Sequence, residues 1–304
     1  MSAAPPPPDF WQGSPQRAAA LHCALKLVQR MLTPWPRRGH KLLLLGVGAG
    51  YLLPLLWEAG FDVTGVDNDP ARIAQARQRM GDRVELAVGA LDHTSYGGNS
   101  FDFVVIPPLP ALSGAPQGQR EALATVLAEA VRLTARGLLA AFWNPCSLAG
   151  MGCSHPDHPL YPLQEAVCWL PRGAYVRALR ELAPHGRLRG RSCLCTPPAL
   201  WAASAPDAPS RDFQPGSAAQ IPPRAGLHTR IADALNTLVC PLPLGALGVL
   251  RADFTAGTPL TGLPLRLDAL GDNLGLVPRP AAEAAEATMK RKLPPRQSED
   301  ICPQ

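Results

Sequence analysis

The sequence predicts an α/β fold: a doubly wound, mostly parallel sheet of about seven strands with helices on both faces. Three observations carry that prediction. Lys41 to Tyr51, KLLLLGVGAGY, reads as a buried strand running into a glycine turn that opens a helix. Leu42 to Leu45 are consecutive apolar residues, as a central parallel strand buried on both sides requires. Strand-like and helix-like stretches then alternate as far as Trp143, which is the pattern of a parallel sheet covered by crossover helices. Finally, Asp67 stands 21 residues after Gly46, at the end of the next strand, where an acid takes ribose hydroxyls in nucleotide-binding crevices.

The elements follow in order. Ser14 to Leu32 has a serine cap, a proline suited to the first turn, and Ala18, Leu21, Leu25, Val28 and Leu32 at helical spacing. Pro34 and Pro36 end that helix. Strand one covers 41–46, and a helix over roughly 51–59 stops at Gly60. Phe61 to Val66 is strand two. Asp69-Pro70 is a cap followed by proline at the first helical position, opening a helix with Ile73, Ala76 and Met80 on one face. Arg83 to Val88 and Ser100 to Ile106 are strands three and four. Glu121 to Leu133 is a helix and Gly137 to Trp143 is strand five. Residues 144–172 read as a loop over the active face. Gly173 to Leu182 is a helix, Gly186 to Cys195 strand six, Leu227 to Val239 a helix, and Gly245 to Phe254 the last strand. Residues 1–12 and 257–304 read as disordered extensions of a domain spanning 13–256, with a cofactor half at 40–143 and substrate-side segments at 144–172 and 196–240.

Composition narrows the function. An apolar fraction of 46% with 17% charged residues fits a water-exposed globular domain. The net charge of +5 is mild and part of it sits at Lys290-Arg291-Lys292, so nucleic acid is not the expected partner. No stretch reaches the ~18 apolar residues of a membrane span. The first residues lack the basic start and apolar run of a secretory leader, so the eight cysteines are expected as reduced thiols in a cytoplasm.

Glycine without a side chain lets a ligand lie against the main chain, and the helix that follows is expected to point N–H groups at it. A dinucleotide site wants G-x-G-x-x-G, whose third small residue lets helix and strand pack closely. Here the spacing is Gly46, Gly48, Gly50, and Tyr51 is bulky. With KLLLLGVGAGYLLP, DVTGVDNDP and VGALDHTSYGGNSFDFVV together, ending in Asn99-Ser100-Phe101-Asp102, the chain resembles the class I S-adenosylmethionine-dependent methyltransferases, in particular the type-11 family. The strong part covers residues 40–110, and FWNPCSL at 142–148 extends it.

The resemblance implies a Rossmann-like domain that uses S-adenosyl-L-methionine to methylate an acceptor. It implies that Gly46, Val47, Gly48 and Gly50 make room for the methionine part and ribose, and that Asp67 accepts the ribose hydroxyls. Asn68 would flank the adenine, Leu91 would contact the ring, and the loop helix would start at Tyr51. Two positions depart from the family. Leu44 stands where an acid is usual two residues before the first glycine, and Ala90 stands where Asp follows the glycine of the third motif, with Asp92 two residues on as a substitute. A catalytically silent relative that binds a nucleotide or protein partner is therefore an alternative, and a NAD-dependent oxidoreductase a more distant one.

Methyl transfer is in-line displacement at an activated carbon, so positioning and proton removal suffice and no fixed triad is expected. Candidate bases are His155 and His158 in the loop after strand five, and His93 beside Asp92, each set against an ordinary solvated-loop role. Cys146, Cys153, His155 and His158 have a C-x6-C-x-H-x2-H spacing unlike common zinc sites, and no metal is expected. Cys193 and Cys195, two apart on a strand, should face the same side. Ile106-Pro107-Pro108-Leu109 lacks the polar first and aromatic last residues of an Asn/Asp-Pro-Pro-Tyr signature and reads as a rigid strand exit. Trp143, Trp169 and Trp201 flank the variable segments, either as core or as the lining of an apolar acceptor pocket. A small or lipid-like acceptor is the expected partner.

Overall fold

The computed structural model describes residues 11, 15–109, 116–150, 168–198, 200–201, 231, 234–241 and 244–254. His155, His158 and Cys153, with the rest of 151–167 and 202–230, lie outside these, as do Ser14, the extension at 257–304 and all of that at 1–12 but Trp11. The first residues of the helix expected from Leu227 also lie outside. Seven strands form one sheet in the order β3-β2-β1-β4-β5-β7-β6. The strands are β1 (Lys41–Leu45), β2 (Asp62–Asp67), β3 (Glu85–Val88), β4 (Phe101–Ile106), β5 (Thr134–Trp143), β6 (Arg187–Cys193) and β7 (Leu247–Asp253). All pairings from β3 to β5 are parallel, whereas β7 runs antiparallel to both β5 and β6. The sheet is thus mostly parallel, and its glycine turn sits at the carboxyl end of the central β1.

The leucine run of β1 shows why the chain folds this way. Side chains alternate across a strand. Leu42 and Leu44 enter one apolar layer with α1 (Pro15–Leu32), α2 (Leu53–Glu58) and α3 (Pro70–Met80). Leu43 and Leu45 enter the other, with α4 (Pro116–Leu133) and α5 (Arg172–Leu182). All four leucines are fully buried, so both faces are covered as the doubly wound fold requires.

α1 packs into the first of these layers. Leu21, Leu25, Val28 and Leu32 are buried as their spacing predicts, but Ala20, Ala24, Leu27 and Met31 are buried too. The helix packs against β7 and β6, and the buried Arg251 of β7 donates from Nη1 to the Met31 carbonyl at 2.9 Å. Arg251 is also paired with Asp253 at 3.0 Å, and Asp253 takes the Trp35 indole N–H at 2.9 Å. Ahead of the helix, Trp11 reaches the carboxyl edge and meets Trp143 with ring centroids 5.9 Å apart.

Asp69 caps α3 by accepting from the Ala71 N–H at 2.9 Å, and Pro70 occupies the first turn. Three sequence expectations shift. α4 begins at Pro116, ahead of Glu121, because proline fits a helix start and Gly118 is carried by the turns that follow. α2 begins at Leu53 and not at Tyr51, since turn residues intervene after Gly50. Cys193 and Cys195 do not lie on one strand. β6 ends at Cys193, and Leu194 has φ +62°, which breaks the alternation; Cys193 and Leu194 are both buried while Cys195 is half-buried. No disulfide joins two described cysteines. No helix among the described residues is long and apolar enough to cross a membrane.

Candidate functional site

The crevice is built at the carboxyl ends of β1, β2 and β4. Gly46, Gly48 and Gly50 have φ of +92°, +55° and +81°, backbone angles open to glycine and strained for other residues. A Cβ on Gly50 would lie 3.0 Å from the Ala76 Cβ and 3.1 Å from its Cα, so the turn is pressed onto α3. A Cβ on Gly48 would meet nothing within 4 Å among the described residues, so the turn is open there. A Cβ on Gly46 would meet Leu109, Pro107 and Leu91 at 3.6, 3.7 and 3.8 Å, which gives the crevice an apolar wall. Pro107 and Leu109 act as more than a strand exit: they bring the end of β4 against the glycine turn.

Five N–H groups in and just after the turn point inward. Gly46 and Val47 both donate to the Val66 carbonyl, at 2.8 and 3.2 Å. Gly50 donates to the Val47 carbonyl at 3.1 Å and Leu53 to the Gly50 carbonyl at 3.3 Å. Gly48 donates to Oδ2 of Asp67 at 2.8 Å. In the helix that follows, the Leu53 N–H is engaged in this way and Pro54 has none to offer. A phosphate cradle needs such groups turned outward; these five are already engaged within the chain.

Asp67 is buried, and its Oδ1 accepts from the Asp69 N–H at 3.0 Å. A carboxylate has about four acceptor sites, so two hydrogen bonds leave capacity for a neighbouring pair of hydroxyls. Asn68, next to it, is exposed. Leu91 is buried, while Asp92 and His93 are exposed. Leu44, at the position of the family acid, is fully buried in the layer beneath α1 and α2 and offers the crevice no polar group. Ala90 is exposed.

Two residues that carry no signal in the sequence hold the crevice in shape. Arg79 of α3 donates from Nε to the Ala49 carbonyl at 3.1 Å, and its guanidinium lies 4.1 Å from the centre of the Tyr51 ring. Tyr51 is itself buried, so the bulk at that position is absorbed by α3 and the core. Glu129 of α4 accepts from the Thr94 N–H and hydroxyl at 2.8 and 2.7 Å. Neither residue belongs to a motif, and each acts over 30 residues of sequence or more, so only folding reveals them.

Glu129 also sets a pH dependence. The Arg132 hydrogen bonds hold its carboxyl far below the usual range, at about 2 against 4.5; burial opposes this and Thr94 assists. The folded value is depressed, so the group contributes stability above the unfolded value and loses it as pH falls through about 2. Melting temperatures measured across a pH series should therefore fall between pH 4.5 and 2 more steeply for wild type than for Glu129→Gln.

Tryptophans gather at the carboxyl edge beyond β5. Trp143 lies 6.3 Å from Trp169 and 6.4 Å from Trp201, ring centre to ring centre. Trp143 and Trp201 are buried as core, and the Trp201 indole donates to the Thr196 carbonyl at 2.9 Å. Trp169 is half-buried, yet its indole Nε1 is covered and makes no hydrogen bond among the described residues. Asn144-Pro145 is structural: the Asn144 side chain donates to the Gly245 carbonyl at 3.2 Å and ties the exit of β5 to the entry of β7. Of the cysteines, burial pushes Cys168 up to about 11 and raises Cys193 and Cys195, which disfavours thiolate chemistry at neutral pH. Among the described residues no cluster of three or more metal-ligating side chains is found; Cys153, His155 and His158 of the C-x6-C-x-H-x2-H set lie outside them.

Residues 42–137 match the model of a family described as a methyltransferase domain. Among solved structures, the fold is similar to that of an S-adenosylmethionine-dependent methyltransferase from Thermotoga maritima, described as a possible histamine N-methyltransferase. The TM-score is 0.50 at 16% identity, covering 78% of this chain and 92% of that one. It is also similar to magnesium protoporphyrin IX methyltransferase from Synechocystis PCC 6803 with bound SAH, at TM-score 0.51 and 14% identity over 81% of this chain and 91% of that one. At these identities the likeness is one of fold. A search of curated proteins finds no match.

Proposed function

We propose that this chain, which carries a class I S-adenosylmethionine-dependent methyltransferase domain, transfers the sulfonium methyl group to a small, largely apolar acceptor. The observation that carries the cofactor half of this reading is the Gly48–Asp67 arrangement. The N–H groups of Gly46, Val47, Gly48 and Gly50 are spent internally, while the adjoining carboxylate keeps acceptor capacity. That suits a nucleoside with free ribose hydroxyls and does not suit a pyrophosphate.

The residues would divide the work as follows. Asp67 accepts the ribose hydroxyls. Gly46 and Gly48 leave room beside the main chain, and Val47 fixes the turn by packing into the core. Leu91 contacts the adenine, with Asn68 and Asp92 at its polar edge. Leu109 and Pro107 exclude water from the place where the methyl moves. S-adenosylmethionine, when bound, supplies a methyl already activated by positive sulfur. The acceptor nucleophile forms its bond to carbon as the carbon–sulfur bond breaks, and the acceptor's proton leaves to a base or to water. His155, His158 and His93 are the candidate bases.

The tryptophan group supports an apolar acceptor. The half-buried Trp11 and Trp169 flank the core ring of Trp143 at the carboxyl edge, where open α/β folds bind ligands. The buried, unpartnered Trp169 N–H adds one donor, so the acceptor is read as apolar with a single oxygen or nitrogen to receive it. A panel with labelled S-adenosylmethionine tests this. Methyl transfer to apolar phenols, amines or carboxylates, reduced about tenfold or more in kcat/KM by Trp169→Phe, is the expected result. Transfer confined to oligonucleotides would reject it.

The second reading, a catalytically silent relative, is favoured by one observation. The acid usual before the first glycine is replaced by a leucine sealed in the core. Binding of S-adenosylhomocysteine without turnover on any acceptor would select it.

A further inference from the structure

Resting on the cofactor reading above, we infer that Glu129 is a positioning residue for the nucleoside end of the cofactor, acting through the loop that carries Leu91 and Asp92. The fold creates the need for it. Between β3 and β4 the chain makes no helix; residues 89–100 cross as turns and bends. Yet Leu43, Leu45 and Val66 beneath that face are buried, and Leu91 joins their layer. A loop doing the work of a helix has no hydrogen-bond ladder of its own, and its shape must come from outside.

α4 provides that shape. Oε1 of Glu129 receives both the N–H and the hydroxyl of Thr94. Arg132, one turn on, grips the same carboxylate from Nε and Nη2 at 2.7 Å each, and Nη2 reaches the Tyr96 carbonyl at 2.8 Å. The Arg132 carbonyl takes the Asn99 N–H at 2.9 Å. Tyr96 packs edge-on against Phe101, 5.2 Å between centres. Thr94 and Glu129 are both buried, and their charge-assisted bonds are of the strong class. Thr94 follows closely on Leu91, whose Cδ1 sits 3.8 Å from the Cβ position of Gly46. The loop from Thr94 back to Leu91 therefore connects the α4 carboxylate to the wall beside the glycine turn. Releasing Thr94 frees Leu91 and leaves the Asp67 side intact.

The test uses the full chain with S-adenosylhomocysteine and adenosine as titrants, on wild type, Glu129→Ala and Glu129→Gln. Glu129→Ala should weaken both ligands by the same factor, about tenfold or more, because the loss is at the end they share. Glu129→Gln keeps an oxygen for Thr94 but not the Arg132 pairing, and should fall between. With acceptor present, KM for S-adenosylmethionine should rise while KM for the acceptor stays constant. Hydrogen exchange should accelerate at residues 91–96 and not in β1. If Glu129→Gln melts lower yet binds both ligands as wild type does, the role is structural and the inference fails. If wild type binds neither ligand, the functional reading and this inference fall together. Wild-type binding with equal binding by both variants rejects the inference alone.

Discussion

Asp67→Ala should raise the Kd for S-adenosylhomocysteine by about a hundredfold or more, the largest single effect expected on binding. The substitution removes the acceptor for two ribose hydroxyls, and hydrogen bonds to a charged group contribute about 1.5–3 kcal/mol each. It also orphans the N–H groups of Gly48 and Asp69, so the turn loses the contact that joins it to the end of β2. Asp67→Asn keeps one accepting oxygen and should lose about tenfold. Calorimetry on both variants, beside their melting temperatures, separates the two contributions. A loss that follows stability alone would mean that Asp67 serves the turn and not the ligand.

Gly50→Val should be the most damaging change to the fold near the site. The residue sits at φ +81°, and a side chain there meets the Cβ and Cα of Ala76 at 3.0 and 3.1 Å. Left-handed backbone costs a branched residue about 1–2 kcal/mol, and overpacking against a helix backbone adds about 1–3 kcal/mol. Together these form a large part of a domain's margin of ~5–15 kcal/mol. The melting temperature should fall and cofactor binding should go with it. Gly48→Ala is the useful contrast. Its φ is +55° but nothing described lies within 4 Å of the added carbon. It should cost only the backbone strain of ~1 kcal/mol. An affinity loss beyond that would report a ligand lying against position 48.

The sequence and the folded chain agree most closely where a single residue's physics decides the outcome. Leu42 to Leu45 form the strand buried on both faces that the run predicts, and Asp69-Pro70 opens the helix that its cap predicts. Asn99 to Asp102, part of the resemblance, proves to form the turn into β4 at the far end of the sheet. Asn99 takes φ +55°, Ser100 donates to the Gly97 carbonyl at 2.6 Å, and Asp102 receives the Lys41 N–H and the Arg136 side chain. Those residues mark the fold without touching the crevice.

The features hidden from the sequence depend on tertiary distance. The antiparallel β7 between β5 and β6 leaves no trace in periodicity, because alternation does not say which neighbour a strand will pair with. Spacing alone puts Cys193 and Cys195 on one face. The strand instead stops at Cys193, where the Leu194 N–H bonds the Asn236 carbonyl at 3.1 Å and turns the chain. The inward-facing N–H groups of the glycine turn are likewise invisible in the sequence, since the same glycines serve a cradle of either kind. Arg79 and Glu129 are ordinary helix residues until α3 and α4 are laid against the loops they hold.

The central claim is that this crevice takes a sulfonium nucleoside and not a dinucleotide. Calorimetric titration of the wild-type chain with S-adenosylmethionine, S-adenosylhomocysteine and NAD tests it most directly. The account predicts one-to-one binding of the first two and no measurable heat with NAD. Binding of NAD in preference, or of none of the three, would contradict it.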